Sequence, residues 1–185
     1  MDEPSSANQR LRWYQTFAPS IITLHHIQTG EQVREPSLVA LNIDRAPKKM
    51  SGLLTGMEFG ALPAEACLAV GSAALSCQGS PGAAVFSPLR HGQIADYTVA
   101  QHLFRELYRQ MRSKSPVSAL LKPVFCVHEQ EYTTEVEERA LIEAAIQLGA
   151  RRVLLYQDSF SAMLNRAQND SALLNSYILH IEPQD

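Results

Sequence analysis

The chain has 185 residues, 45% of them hydrophobic, and a formal net charge of −3. That length suits one domain or two small subdomains burying about 70% of the unfolded surface, and the apolar share excludes a disordered chain. No Lys/Arg block is dense enough to track a phosphate backbone, so no nucleic-acid partner is expected.

Residues 1–18 read as a tail that includes a short amphipathic stretch. There Leu11, Trp13, Tyr14 and Phe17 interleave with Arg10 and Arg12. Either these aromatics pack on the domain's own core, or Leu11, Trp13 and Phe17 touch a membrane surface peripherally. Ser20–Ile27 is apolar and β-branched, Thr29-Gly30 makes a turn, and Ser37–Leu41 reads as the returning strand of a hairpin with Pro36 at a sheet edge. Residues 42–66 carry Pro47, Gly52, Gly56, Gly60 and Pro63 and read as a loop-rich excursion.

Cys67–Gly71 is a short buried strand, followed by a Gly/Ser/Pro loop through Gly79–Gly82. Thr98 with Gln101 has the spacing of a capping box, and Val99, Leu103, Leu107 and Met111 recur at helical spacing. Val124–His128 is a strand. Thr134 with Glu137 makes a second capping box, opening a helix with an apolar stripe of Val136, Ala140, Leu141, Ala144, Ala145 and Leu148, and Gly149 stops it. Val153–Tyr156, a helix capped by Asp158, and a last strand at Tyr177–Ile181 complete the chain. The expected fold is α/β, with a mixed sheet that starts antiparallel and finishes in parallel βαβ units.

Several stretches, taken in order, resemble the rod-shape-determining bacterial actins, the MreB family. Glu35-Pro36-Ser37-Leu38-Val39-Ala40 resembles that family's EPSVVA strand, Ala69-Val70-Gly71 its AVG, and Gly92–Tyr97 its GVIADF. Thr134–Glu137, Arg139-Ala140 and Gly149-Ala150-Arg151 resemble TxVERRA and GAREV. The resemblance implies an actin-like, RNase H-like first lobe over residues 19–185, with 42–66 belonging to a smaller inserted part.

The departures from the family carry the functional expectation. The family's first phosphate loop reads DxGTxxT, and the matching stretch here is Phe17-Ala18-Pro19-Ser20-Ile21-Ile22-Thr23. Phe17 cannot ligate Mg²⁺, and Pro19 replaces a glycine and has no N–H to offer phosphate. Only Thr23 survives. The second loop reads DIGGGT, and here Ser176–Ile181 leads into Glu182-Pro183-Gln184-Asp185, with His180 in the place of the aspartate. A carboxylate and a proline then stand where phosphate would sit. The resemblance makes Glu137 the counterpart of the glutamate that positions the attacking water, and Asp96 that of an aspartate near the pocket. Each has a capping role as its alternative.

No cofactor and no metal are expected. The cysteines Cys67, Cys77 and Cys126 are odd in number and form no C-x-x-C pair, against a disulfide framework or a structural zinc site. Cys126 and His128 share a strand face, so a Cys–His nucleophile pair is one reading and a buried core thiol the other. His25 and His26 point to opposite faces, poor for joint metal binding. No signal peptide and no run of about 18 apolar residues is seen, so a cytoplasmic site, with possible membrane association, is expected. The leading expectation is a noncatalytic, actin-like interaction protein. Its partners would be a full-length bacterial actin, a copy of itself, or a membrane-linked assembly. The alternative is half of a split ATPase completed by another chain, for which Glu137 would be the catalytic candidate and Thr23, Asp96 and His180 remnants of the cofactor pocket.

Overall fold

A computed structural model describes residues 19–43, 45, 66–114, 122–128 and 133–183. The amphipathic stretch with Leu11, Trp13 and Phe17 and nearly all of the 42–66 excursion lie outside the described residues. The chain divides into two compact units. One is built mainly from residues 36–103 with Ser20, the other from Ile21–Glu35 and Phe104–Glu182.

The second unit holds a five-stranded mixed sheet. Its strands are β1 (Ile21–His26), β2 (Gln32–Pro36), β8 (Val124–His128), β9 (Arg152–Tyr156) and β10 (Ser176–Glu182), in the order β2-β1-β10-β8-β9. The expected hairpin forms, but its second arm is Gln32–Pro36 rather than Ser37–Leu41. Pro36 lacks an N–H and ends the edge strand, and the chain then turns, with Leu38 N donating to Pro36 O at 2.7 Å. The residues beyond leave for another sheet.

The last strand lies in the middle. β10 runs antiparallel to β1 and parallel to β8, and β8 runs parallel to β9. One face of this sheet carries Leu24, Tyr177, Phe125 and Val127, all buried. Tyr108 of α2 (Tyr97–Lys114) meets Phe125 and Tyr177 edge-on there, at 5.4 and 5.2 Å. The other face carries Ile178, Cys126 and Val124 beneath Met163 and Ala167 of α4 (Phe160–Asn169). The helix α3 (Glu135–Gln147) connects β8 to β9 and buries Leu141, Ala144 and Ala145. Val136, expected in that stripe, is 74% exposed, because it sits in the first turn and points away from the buried side. Gly149 takes φ +93° just past the helix end, the left-handed conformation that terminates helices and favours glycine.

The first unit contains a separate three-stranded antiparallel sheet. There β3 (Val39–Asn42) is flanked by β4 (Cys67–Val70) and β5 (Ala83–Phe86). The strand β5 has no strong sequence signal, because four residues after a Pro-Gly turn show no periodicity. Leu38, Ala40 and Ala74 of α1 (Ser72–Leu75) form its small core with Ala69, Cys77 and Val85. A two-residue turn at His91 and Gly92, both at positive φ, then joins β6 (Leu89–Arg90) to β7 (Gln93–Ile94). The cap of α2 is Asp96, not Thr98. The Asp96 carboxylate accepts from Val99 N at 3.0 Å, which leaves Thr98 inside the first turn and outside the expected capping box.

Candidate functional site

The connections β8–α3–β9 and β9–α4–β10 run in opposite directions across the sheet. Right-handed crossovers therefore put α3 and α4 on opposite faces. Open α/β sheets commonly bind ligands at the carboxyl ends of the strands where such a reversal occurs. The residues at those ends are His128, the last of β8, Tyr156, the last of β9, and His180 near the end of β10.

These residues form a row across the sheet. Thr23 of β1 is the ladder partner of His180. The register that pairs Leu179 with Val127 sets His180 beside His128, and their rings lie 4.6 Å apart. His128 in turn pairs with Tyr156, ring to ring at 5.3 Å. His25, two residues along β1, shares the face. Phe160 roofs the row from the first turn of α4, 5.4 Å from the His180 ring and 5.9 Å from that of His25.

The row is buried and poorly satisfied. Thr23, His25 and Tyr156 are 5%, 8% and 6% exposed. Thr23 Oγ1, both ring nitrogens of His25, the Tyr156 hydroxyl and His180 Nδ1 are buried without a hydrogen bond of normal geometry. Folded proteins carry few such groups, and each costs about 1–3 kcal/mol. Burial is the main cause that lowers the pKa of His25, with His26 adding to it and the Gln32 side chain opposing it. Burial also lowers that of His180, followed by the neighbouring His128, while Glu182 works the other way and Arg34 adds to the lowering. The opposite-facing His26 is satisfied: its Nδ1 meets Thr29 Oγ1 at 2.9 Å and its Nε2 meets Asn175 Oδ1 at 3.3 Å.

Glu182 belongs to β10, opposite Ile21, and is not part of a loop after the strand. Its Oε2 accepts from Arg34 Nη2 at 2.7 Å, and its Oε1 lies 3.9 Å from His180 Nε2. Ser20, matching the threonine of the first phosphate-loop motif, is tied down in the other unit. Its carbonyl accepts from Ser37 N at 2.7 Å and its hydroxyl from Gly92 N at 3.2 Å.

Glu137 closes the expected capping box. Its Oε2 accepts from Thr134 N at 2.8 Å and from Thr134 Oγ1 at 2.7 Å, while Thr134 Oγ1 accepts from Glu137 N at 3.4 Å. Thr134→Ala is expected to cost about 1 kcal/mol in urea unfolding, the usual loss for a helix cap. Asp158 does not cap α4. That role falls to Ser159, whose Oγ accepts from Ala162 N, and Asp158 pairs with Arg166 at 2.6 Å. Asp96, in the first unit, caps α2, and burial raises its pKa against the opposing hydrogen bonds from Val99 and Thr98. Cys126 is fully buried, and burial pushes its thiol up to about 11, which keeps it protonated and a poor nucleophile near neutral pH. Among the described residues no three His, Cys, Asp or Glu are grouped to hold a metal ion, and no helix is long and apolar enough to cross a membrane.

Of the residues singled out from sequence, Thr23 and His180 come together, and Glu137 and Asp96 each cap a helix. His25, Tyr156, Phe160 and Arg34 were not singled out as part of a site with them. Their signal was present as polar positions at alternate places on apolar strands, but it becomes a cluster only through strand order.

The profile of the MreB/Mbl protein family matches residues 21–169. The chain belongs to the MreB/Mbl family. It is 30% identical over 156 residues to the cell shape-determining protein MreB of Escherichia coli K12, covering 82% of this chain and 40% of the relative. It is 29% identical over 152 residues to the MreB of Haemophilus influenzae, covering 82% and 39%. Crystal structures of Spiroplasma citri MreB5 share the actin-like fold at 22% identity. The ADP-bound form has a TM-score of 0.55 over 76% of this chain and 36% of that one, and the AMPPNP-bound form 0.57 over 82% and 40%. This MreB-family chain thus spans about 40% of the length of the curated relatives it matches.

Proposed function

We propose that this MreB-family chain is a noncatalytic, actin-like interaction or structural protein in a bacterial cytoskeletal or envelope-associated assembly, with residues 19–185 serving as one lobe-like scaffold. One observation carries the reading. Thr23 and His180, the remnants of the two phosphate loops, are ladder partners inside a five-stranded sheet. Backbone N–H groups paired in a ladder do not turn outward to cradle phosphate, and the cradle of a nucleotide-binding loop is made of such groups.

The surrounding chemistry supports the same conclusion. Pro19 has no N–H, and Ser20 spends its carbonyl and hydroxyl on the fold. The Glu182 carboxylate is held by Arg34, and the neighbouring imidazoles favour the neutral form, so the row offers little positive charge to a polyphosphate. We assign Glu137 to its cap rather than to a water molecule, and Thr23, Asp96 and His180 to the fold rather than to a cofactor. The partner is then a protein: a full-length bacterial actin, a second copy of this chain, or a membrane-linked assembly. Leu11, Trp13 and Phe17 supply a peripheral membrane contact in this scheme.

Titration calorimetry with Mg-ATP tests the proposal. No binding heat is expected from the chain alone or with a candidate partner. Micromolar binding in either arrangement would overturn it in favour of half of a split ATPase.

A further inference from the structure

We propose that His25 and His180, with His128 between β10 and Tyr156, form an acid-operated latch that holds β10 in the centre of its sheet. In the strand order, β10 joins the antiparallel pair β2-β1 to the parallel pair β8-β9. The imidazoles line that strand and its two neighbours, His25 on β1 facing α4, His180 on β10 and His128 on β8. Charging them opposes the sheet at its seam.

Groups from the strands of this sheet and from α4 face the cluster among the described residues. From β2 come Gln32 beside His25, and Arg34, whose charge disfavours a second cation at His180. The residues on β1 are Thr23 in the row and His26 on the opposite face. Next to His180 on β10 stands Glu182, the one acid within reach among the described residues, with its other oxygen already bound to Arg34. His128 lies 4.6 Å from His180 ring to ring, Tyr156 follows on β9, and α4 presents the uncharged Phe160. A proton on His25 or His180 therefore enters a buried site where the described residues offer a single, already engaged counter-charge. Both groups have folded-state pKa values below the ordinary histidine value of 6.5. Their contribution to stability is full above about pH 6.5, where the unfolded chain is also neutral, and is lost as pH falls below that value. Each pH unit over which one imidazole is charged only in the unfolded chain lowers the folding equilibrium about tenfold. Sensors of this type work by biasing a two-state element, and the element here is the seating of β10.

The test uses the full chain. Histidine side-chain NMR titration is expected to place His25 and His180 below 6.5, and amide protection factors in β1, β10 and β8 are expected to fall between pH 7.5 and 5.5 while those in β3, β4 and β5 hold. The double variant His25→Gln, His180→Gln is expected to keep its β10 protection across that range, and a His102→Gln control to lose it as the unmodified chain does. Titration of both imidazoles at or above 6.5, or a uniform loss of protection in both sheets, overturns the latch. If the double variant does not fold, the titration and the protection pattern of the native chain decide the matter alone.

Discussion

Tyr177→Ala is expected to destabilise the second unit by about 3–5 kcal/mol, the usual range for deleting a buried aromatic side chain. Tyr177 is 1% exposed at the middle of the sheet. Its ring stacks on Phe125 at 5.5 Å with planes 25° apart, takes the edge of Tyr108 at 5.2 Å, and lies 4.7 Å from His26. Truncation removes partners from three other elements at once: β8, α2 and β1. Close-packed interiors collapse only partly around such a void, so the cavity adds to the lost transfer energy. Whole domains are stable by about 5–15 kcal/mol, so this one change takes a large share. Urea unfolding should show a lower midpoint with an unchanged slope. A loss under about 1 kcal/mol would be that of a peripheral contact and would contradict the packing described here.

Leu179→Pro is expected to abolish cooperative folding of the same unit. Leu179 is paired with Leu24 of β1 on one side and with Val127 of β8 on the other. Proline removes an N–H from the ladder, and sheets accept it at edges, strand starts and bulges but not in a central strand. The native chain obeys that rule, with its sheet proline, Pro36, closing the edge strand β2. The variant should lose the dispersed amide spectrum of the folded chain. A dispersed spectrum with native-like stability would mean that β10 is an edge strand, and the sheet order would be wrong.

Both outcomes rest on the position of β10, which separates what was legible from what was not. The strand itself is readable: Tyr177–Ile181 is a short apolar run with β-branched residues, and it forms from Ser176 to Glu182. Helix boundaries set by local chemistry were also readable. Thr134 and Glu137 satisfy each other's donors within a single turn, and Gly149 supplies a left-handed stop. The helix stripe Val99, Leu103, Leu107 and Met111 is buried throughout, as 3.6-residue spacing requires. Signals failed where two local candidates competed, as Asp96 and Thr98 did for the cap of α2. They failed again where a strand was too short to show a period, as in β5.

The candidate site divides the same way. Thr23, Asp96, Glu137 and His180 could be named one by one from the family motifs that their surroundings resemble, as could Phe17, Pro19 and Glu182 from where the chain differs from those motifs. The sequence by itself determined the family, the alternation of strand and helix, the capped ends, and which side chains share a strand face, because each depends on residues a few positions apart. Only the tertiary structure decided that β10 enters between β1 and β8, that Thr23 lies opposite His180, and that His25, His128 and Tyr156 join them beneath Phe160. Strand order and register are set by which apolar faces bury each other across more than 150 positions of chain, and no local pattern encodes that choice.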